Sequence, residues 1–274
     1  MKKVLITGNS GYIGSHLTKM ITDEYEIYGL DIQEPQIAPK SHYKINICDP
    51  HTIVTEWDCV VHLAALVNVG ESEKFPAVYY ENNLFGTLNL LRNIKTKNFI
   101  FASTGAAVEC ESAYGISKRA AEDCVRSYCT KNEVDYTIFR FYNVIGSDGI
   151  KPTNPDGLFY NLMKSMDTGT FTIYGNDYAE SVDGTCVRDY VHVNEICNAI
   201  MTAIEKPSNG LENLGHGVGH TVKEMAQLFE QVNDVMIDIK YGPRREGDIA
   251  SSVLESVSPY MKQLYKLDDL LKVT

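Results

Sequence analysis

KVLITGNSGYIGSHLTKMITDEYEIYGLD, residues 3–31, decides the fold. Its opening, KVLIT, is a short apolar run that reads as a fully buried strand over 3–7. Ile13, Leu17, Met20 and Ile21 then recur at helical spacing and predict a helix over 12–22, while EIYGLD predicts a second strand over 26–31. After the first strand stand Gly8, Gly11 and Gly14, the last of them in the first turn of the helix. A GxxGxxG pattern alone says little. Here it occupies the first strand-to-helix turn, and Asp31 ends the next strand 17 residues past Gly14. In that setting the glycines let the backbone approach a pyrophosphate, and the helix start offers amide donors and the positive end of a dipole. Asp31 would accept from both ribose hydroxyls and repel a 2′-phosphate, so the cofactor expected is NAD rather than NADP.

Outward from this unit the pattern repeats. Apolar runs at 59–64 (CVVHLA), 98–103 (NFIFAS) and 135–141 (DYTIFRF) alternate with stretches of helical period. Such alternation predicts right-handed βαβ units, and so an α/β fold with a doubly wound parallel sheet of the Rossmann kind. After Asn143 the pattern weakens, and Gly, Pro, Asn and Asp crowd residues 144–187. Residues 188–205, RDYVHVNEICNAIMTAIE, regain strand-then-helix character and are expected to rejoin the sheet. The expected organisation is a dinucleotide-binding domain, 1–143 plus 188–205, and a small, partly discontinuous substrate-binding domain, 144–187 plus 206–274.

With 274 residues, 44% of them hydrophobic, the chain can build a full core. A net charge of −11 argues against nucleic acid or an anionic membrane as the main partner. An anionic ligand would have to be held by a few well-placed arginines. No apolar run approaches the ~20 residues of a membrane span. The run after MKK meets glycine too soon for a signal-peptide core. Seven cysteines, an odd number without a CxxC pair, suit a reduced, cytoplasmic setting. His216 and His220 are four apart, but the GVG between them is a poor helix, so no metal site is expected.

Tyr114 and Lys118 stand four apart in YGISK at the start of a predicted helix, hence on one face and about a turn apart. Alone, the pair reads as two surface side chains. Strand 98–103, however, leads into Ser103-Thr104-Gly105 at the carboxyl edge of the sheet, where ligands of such folds bind. A hydroxyl, a phenol and an ammonium there form a proton-transfer set. Tyr114 would move the proton of an alcohol, Lys118 would lower its pKa and hold the nicotinamide ribose, and Thr104 would position the substrate oxygen.

These stretches resemble the extended short-chain dehydrogenase/reductases, and within them the UDP-galactose (UDP-glucose) 4-epimerases. The resemblance runs through TGNSGYIGSH (7–16), VVHLAAL with VGES (60–72), YYENNLFGTLNLL (79–91), NFIFAST (98–104), YGISK (114–118) and RFYNVIG (140–146). It continues through NLGHGVG (213–219) and through IYGNDY (173–178), VRDYVHV (187–193) and PRREGD (243–248), the last three belonging to the nucleotide-sugar side of the family. It implies an isomerase with permanently bound NAD that inverts C4 of a UDP-hexose through a transient 4-keto sugar. It further implies NAD contacts from Tyr12, Ile13, Asn46, Ile47, Leu63, Ala64, Ala65, Asn83 and Tyr142, beside the glycines, Asp31, Tyr114 and Lys118. Asn143, Leu158, Arg188, Arg245 and Asp248 match positions that hold the UDP, and Tyr174 matches one that stacks on uracil. A homodimer through helices near 80–95 and 114–130 is implied by analogy.

The chain also departs from that pattern. Only nine residues separate Thr104 from Tyr114, fewer than usual, which opens the substrate side. Thr104 stands where Ser is commoner, and Ser103 offers an alternative hydroxyl. Asn46 replaces an acid near adenine, Val67 a frequent lysine, and Gly157 an asparagine. Ser252 falls near a position whose size admits or excludes N-acetyl sugars, so UDP-GalNAc and UDP-GlcNAc stay open as substrates. Two other nucleotide-sugar reactions, 4,6-dehydration and decarboxylation, need an acid after Thr104, where Gly105, Ala106 and Ala107 stand. A non-catalytic NAD-binding regulator would not need Tyr114, Lys118 or the arginines.

Overall fold

The glycine-bounded apolar runs become the middle of a parallel sheet because they are buried on both faces, which only helices packed on each side can cover. The computed structural model describes residues 1–49, 55–245 and 247–273. Contacts divide the chain into two compact units, residues 1–141 with 197–212 and residues 142–196 with 213–274.

The first unit opens with β1 (Lys3–Thr7), α1 (Tyr12–Ile21), β2 (Glu26–Asp31) and β3 (Ser41–Lys44). Next come β4 (Glu56–Trp57), β5 (Cys59–His62), α2 (Val69–Lys74), α3 (Pro76–Tyr79), a π-helical turn (Tyr80–Phe85) and α4 (Gly86–Asn93). It closes with β6 (Lys95–Thr96), β7 (Asn98–Thr104), α5 (Ala106–Glu109), α6 (Ala113–Lys131) and β8 (Asp135–Phe141). β1 pairs in parallel with β2 (Leu5 opposite Tyr28) and with β5 (Leu5 opposite Val60). β7 pairs in parallel with β5 and β8, and β3 with β2. The strand order therefore reverses between β1 and β5, where open α/β sheets bind ligands at the carboxyl ends. Leu5, Leu30, Trp57, Val60, Phe99, Phe101 and Val125 centre the core.

The second unit holds β9 (Asn143–Ile145), α7 (Leu158–Thr168), β10 (Thr170–Tyr174) and β11 (Val187–His192). Helix α8 (Val193–Glu205) and β12 (Gly210–Leu214) each have residues in both units. Then follow β13 (Gly219–Thr221), α9 (Val222–Asn233), β14 (Asp238–Gly242), β15 (Ser251–Ser252) and α10 (Leu267–Leu271). Its core gathers Phe159, Leu162, Phe171, Ile173, Phe229, Leu270 and Leu271.

One sequence expectation changes here. Residues 188–205 do form a strand and a helix, but β11 pairs with β9, β13 and β15, outside the large sheet. The strand that extends the seven-stranded sheet beside β8 is β12. An apolar run specifies a strand without naming its neighbours, and β11 found them within the second unit.

Candidate functional site

The first unit places the glycine turn at the carboxyl ends of β1 and β5. Gly8 has a φ of +75°, and a Cβ there would lie 2.7 Å from the amide nitrogen of Ala64. A Cβ on Gly14 would sit 2.2 Å from the Gly8 carbonyl oxygen. Both positions therefore require glycine: Gly8 brings the turn against Leu63 and Ala64, and Gly14 brings the start of α1 against Gly8 and Asn9. Tyr12 and Ile13 open α1, whose start carries neither a side-chain cap nor an acid in its first turn. Asp31 ends β2 and accepts from the amides of Ser10 (3.1 Å) and Gln33 (2.9 Å), which fixes its carboxylate beside the turn. After β3, Asn46 Oδ1 accepts from the Cys48 amide at 2.9 Å, and Ile47 is buried against Gly86.

A directed hydrogen-bond chain runs through this edge. The Ala64 amide donates to Thr7 Oγ1 (3.3 Å), which meets His62 Nδ1 (2.7 Å); His62 Nε2 meets Thr87 Oγ1 (2.9 Å), which donates to the Asn83 carbonyl (2.7 Å). Because the Thr87 hydroxyl proton is committed to Asn83, Thr87 accepts, so His62 carries its proton on Nε2 and accepts from Thr7 at Nδ1. Burial, with Lys118 nearby, pushes the His62 pKa down to about 3 and keeps it neutral. Asn83 is one of the residues the resemblance assigns to the cofactor. It lies inside the π-helical turn, with its amide clasping both backbone groups of Leu66 (2.9 and 3.0 Å). Such turns are frequent at functional sites, but an i→i+5 pattern leaves no periodicity to read in a sequence.

Thr104 ends β7, and its hydroxyl is the neighbour that favours the phenolate form of Tyr114. The nine-residue connection is taken up by one helical turn, α5, a left-handed Cys110 and the N-cap Ser112, whose Oγ accepts from the Gly115 amide at 3.1 Å. That cap starts α6 just before Tyr114. Glu73 steadies the same end by accepting from the Ala113 amide at 2.8 Å. Tyr79, held by Glu71 at 2.8 Å, sets its ring edge-on to Tyr114 with centroids 6.4 Å apart. Lys118 follows one turn on, fully buried, with Nζ 4.3 Å from the centre of the Phe101 ring.

The expected acidification of Tyr114 by Lys118 is not what the structure shows. Burial pushes the phenol up to about 12, and the group that favours the phenolate is the Thr104 hydroxyl. Burial likewise pulls Lys118 down to about 7, with Glu122 acting the other way. Desolvation exceeds the charge effect because both groups sit away from water. Ser103 is not an alternative to Thr104 either. Its Oγ donates to Glu122 Oε1 at 2.5 Å, and Glu122 takes a bidentate pair from Arg140 (Nε 2.8 Å, Nη2 2.7 Å).

The second unit gathers most of the other expected residues. The Arg245 guanidinium stacks 4.1 Å from the centre of the Tyr174 ring, at the end of β10, and donates to the Asp156 carbonyl at 3.2 Å, two residues before Leu158 opens α7. Arg188 in β11 lies 3.6 Å from Asp248 and opposite Ser252 of β15. Asn143 Nδ2 donates to the Asp189 carbonyl at 3.2 Å, while Tyr142 is the first residue of this unit. Three supporting residues had been passed over. Buried Asp189 accepts from the His216, Gly217 and Leu254 amides and so shapes the NLGHGVG loop. Burial raises the Glu195 pKa, but hydrogen bonds from His216 and the Leu264 and His192 amides outweigh it and hold the carboxyl below its usual range. Arg244 stacks on Tyr178 at 4.0 Å and binds Asp177. The pairs RD in VRDYVHV and RR in PRREGD were the available signals. His216 and His220 bind Glu195 and Glu224, and among the described residues no cluster of metal-ligating side chains forms.

A putative UDP-arabinose 4-epimerase of Arabidopsis thaliana is 32% identical over 300 residues, covering 90% of this chain and 68% of the relative. The UDP-glucose 4-epimerase of Haemophilus influenzae is 31% identical over 297 residues, covering 90% of this chain and 88% of its own. The crystal structure of UDP-glucose 4-epimerase from Bifidobacterium longum, in complex with NAD+ and UDP, superposes with a TM-score of 0.85 at 26% identity, covering 98% and 96% of the two chains. Residues 4–216 match the family described as NAD dependent epimerase/dehydratase, and to that family the chain belongs.

Proposed function

We propose that this protein is an NAD-dependent 4-epimerase of UDP-hexoses, interconverting UDP-galactose and UDP-glucose through a transient 4-keto sugar. The observation that carries the reading is the Thr104–Tyr114 hydroxyl pair at the end of β7, with Lys118 one turn on and the glycine turn in the same unit.

The residues present suit NAD. Neither Gly8 nor Gly14 has room for a Cβ, so the turn stays bare backbone, α1 starts without a competing acid, and Asp31 is held by two amides. Gly8, Gly11, Tyr12, Ile13 and Gly14 would hold the pyrophosphate, Asp31 the adenosine ribose, and Asn46 and Ile47 the adenine side. Leu63, Ala64, Ala65, Asn83, Tyr142 and Lys118 would hold the rest. The chemistry NAD supplies when bound is hydride removal and return at C4. As the phenolate, the form that the Thr104 hydroxyl favours, Tyr114 takes the C4 hydroxyl proton and gives it back, while Thr104 orients the oxygens involved and Lys118 supplies positive charge. Arg188 and Arg245 neutralise the diphosphate in a chain of net charge −11, and Tyr174 offers the uracil the ring face that Arg245 leaves. Against dehydration, the nearest acid after Thr104 is Glu109, which is exposed on α5.

The quaternary state proposed is a homodimer. Val78, Phe85 and Ile116 are exposed on the helices at 76–93 and on α6, an apolar surface suited to a second copy. The proposed compartment is the cytoplasm, in keeping with seven free cysteines. Among the described residues no helix is long and apolar enough to cross a membrane. Incubation of the purified protein with UDP-galactose, without added NAD, tests the reaction. UDP-glucose is expected. A 4-keto-6-deoxy sugar would identify a dehydratase, and no turnover would contradict catalysis. UDP-GalNAc run in parallel reports whether Ser252 admits the N-acetyl group.

A further inference from the structure

Glu122 is the most committed carboxylate of the first unit, and nothing in the reaction just described uses it. It is fully buried, one helical turn after Lys118 on the same face of α6. Every neighbour donates to it: Ser103 Oγ at 2.5 Å, Arg140 Nε at 2.8 Å and Arg140 Nη2 at 2.7 Å. Ser103 immediately precedes Thr104 on β7, and Arg140 projects from the neighbouring β8, opposite Ser103 in the register. Packing alone does not demand such an arrangement, since well-packed apolar side chains often serve as well as a buried ion pair.

We propose that Glu122 is a positioning residue: gripped by Arg140 and Ser103, it keeps Lys118 cationic and fixes the strand end that presents Thr104. The groups facing Lys118 support this. Phe101 of β7 offers a ring face, His62 of β5 is neutral, and Tyr114, one turn earlier on α6, is a phenol; Arg140 of β8 is paired with Glu122. Arg119 lies 3.9 Å from Glu122 with an exposed side chain. Glu122 is thus the acid available to offset the burial of Lys118, and its effect on that lysine is in the required direction. The inference rests on the role proposed above for Lys118.

Two variants with opposite signs test it. Glu122→Gln removes the offsetting charge, and Arg140→Gln leaves that charge unopposed. The titration midpoint of Lys118, read by NMR of ε-13C-lysine in the ligand-free protein, should fall by about one pH unit in the first and rise in the second. Glu122→Asp, which keeps the charge, should restore the wild-type midpoint. The alkaline limb of kcat for UDP-galactose should move in the same directions. Two variants with opposite signs keep the test open should either fail to fold. Midpoints that stay put, or move the same way in both, would overturn the proposal, because a purely structural ion pair would lower thermal stability without shifting them. Midpoints that move while the limb of kcat stays would support the Glu122–Lys118 link and overturn the role of Lys118 in the reaction.

Discussion

The guanidinium carbon of Arg245 lies over the ring of Tyr174, 4.1 Å from its centre. The partly exposed tyrosine is therefore held by a cation on one side while the guanidinium spends one donor on the Asp156 carbonyl. Removing the cation should cost ground-state binding of a diphosphate more than chemistry. Arg245→Ala is expected to raise KM for UDP-galactose by about 10- to 100-fold with a smaller change in kcat, from the 1.5–3 kcal/mol typical of charged hydrogen bonds. Steady-state kinetics would show it, and an unchanged KM would place the diphosphate elsewhere.

Asp31, anchored by the Ser10 and Gln33 amides, presents a fixed negative charge at the end of β2. Asp31→Ala should weaken NAD binding and relax the rejection of NADP, measured as the ratio of the two dissociation constants. A ratio equal to that of the wild type would remove Asp31 from the ribose site.

His62 gives a prediction that needs no ligand. Its pKa falls from 6.5 to about 3 because burial disfavours the charged ring. Between those values the unfolded chain binds a proton that the folded chain does not, so this site's stability is complete above 6.5 and is lost as pH falls toward 3. Nitrogen-15 NMR should show neutral His62 with its proton on Nε2 down to about pH 5. His62→Gln should be less stable at neutral pH and lose less on acidification; an equal acid sensitivity would contradict the buried neutral ring.

Lys118 works in the opposite range. Its pKa is lowered from 10.5 to about 7 by burial, so the unfolded chain holds the extra proton between these values and stability from this site rises with pH across that window. Lys118→Met should therefore raise the melting temperature of the ligand-free protein by several degrees near pH 6, with the gain shrinking toward about pH 10. A gain independent of pH would mean that the lysine stays charged in the fold.

Much of the first unit was legible because its signals are local. KVLIT, EIYGLD and DYTIFRF became strands with the bounds their apolar runs suggest, and the glycine turn lies between β1 and α1. The hydroxyl and phenol were legible because a strand end and a helix start lie only nine residues apart. What escaped reading was set by distance along the chain. Glu122 meets Arg140 across 18 residues, and His62 meets Thr7 across 55. YGISKRAAE and VVHLA carry these residues, but no periodicity marks a side chain whose partner lies on another strand. The acidity of Tyr114 was misjudged for a related reason, since burial is a property of the fold. In the second unit, β10 alternates buried and exposed residues and β9 and β15 are short, so partners rather than patterns decide the pairing.

The central claim is that the phenol of Tyr114 carries the proton of the sugar's C4 hydroxyl. Tyr114→Phe removes one oxygen from a buried ring and leaves the glycine turn and the arginines untouched, so NAD binding should persist. The direct measurement is kcat for UDP-galactose to UDP-glucose in this variant beside its NAD dissociation constant. The account predicts a loss of about 10²- to 10⁴-fold in kcat with NAD still bound, whereas turnover near that of the wild type would contradict it.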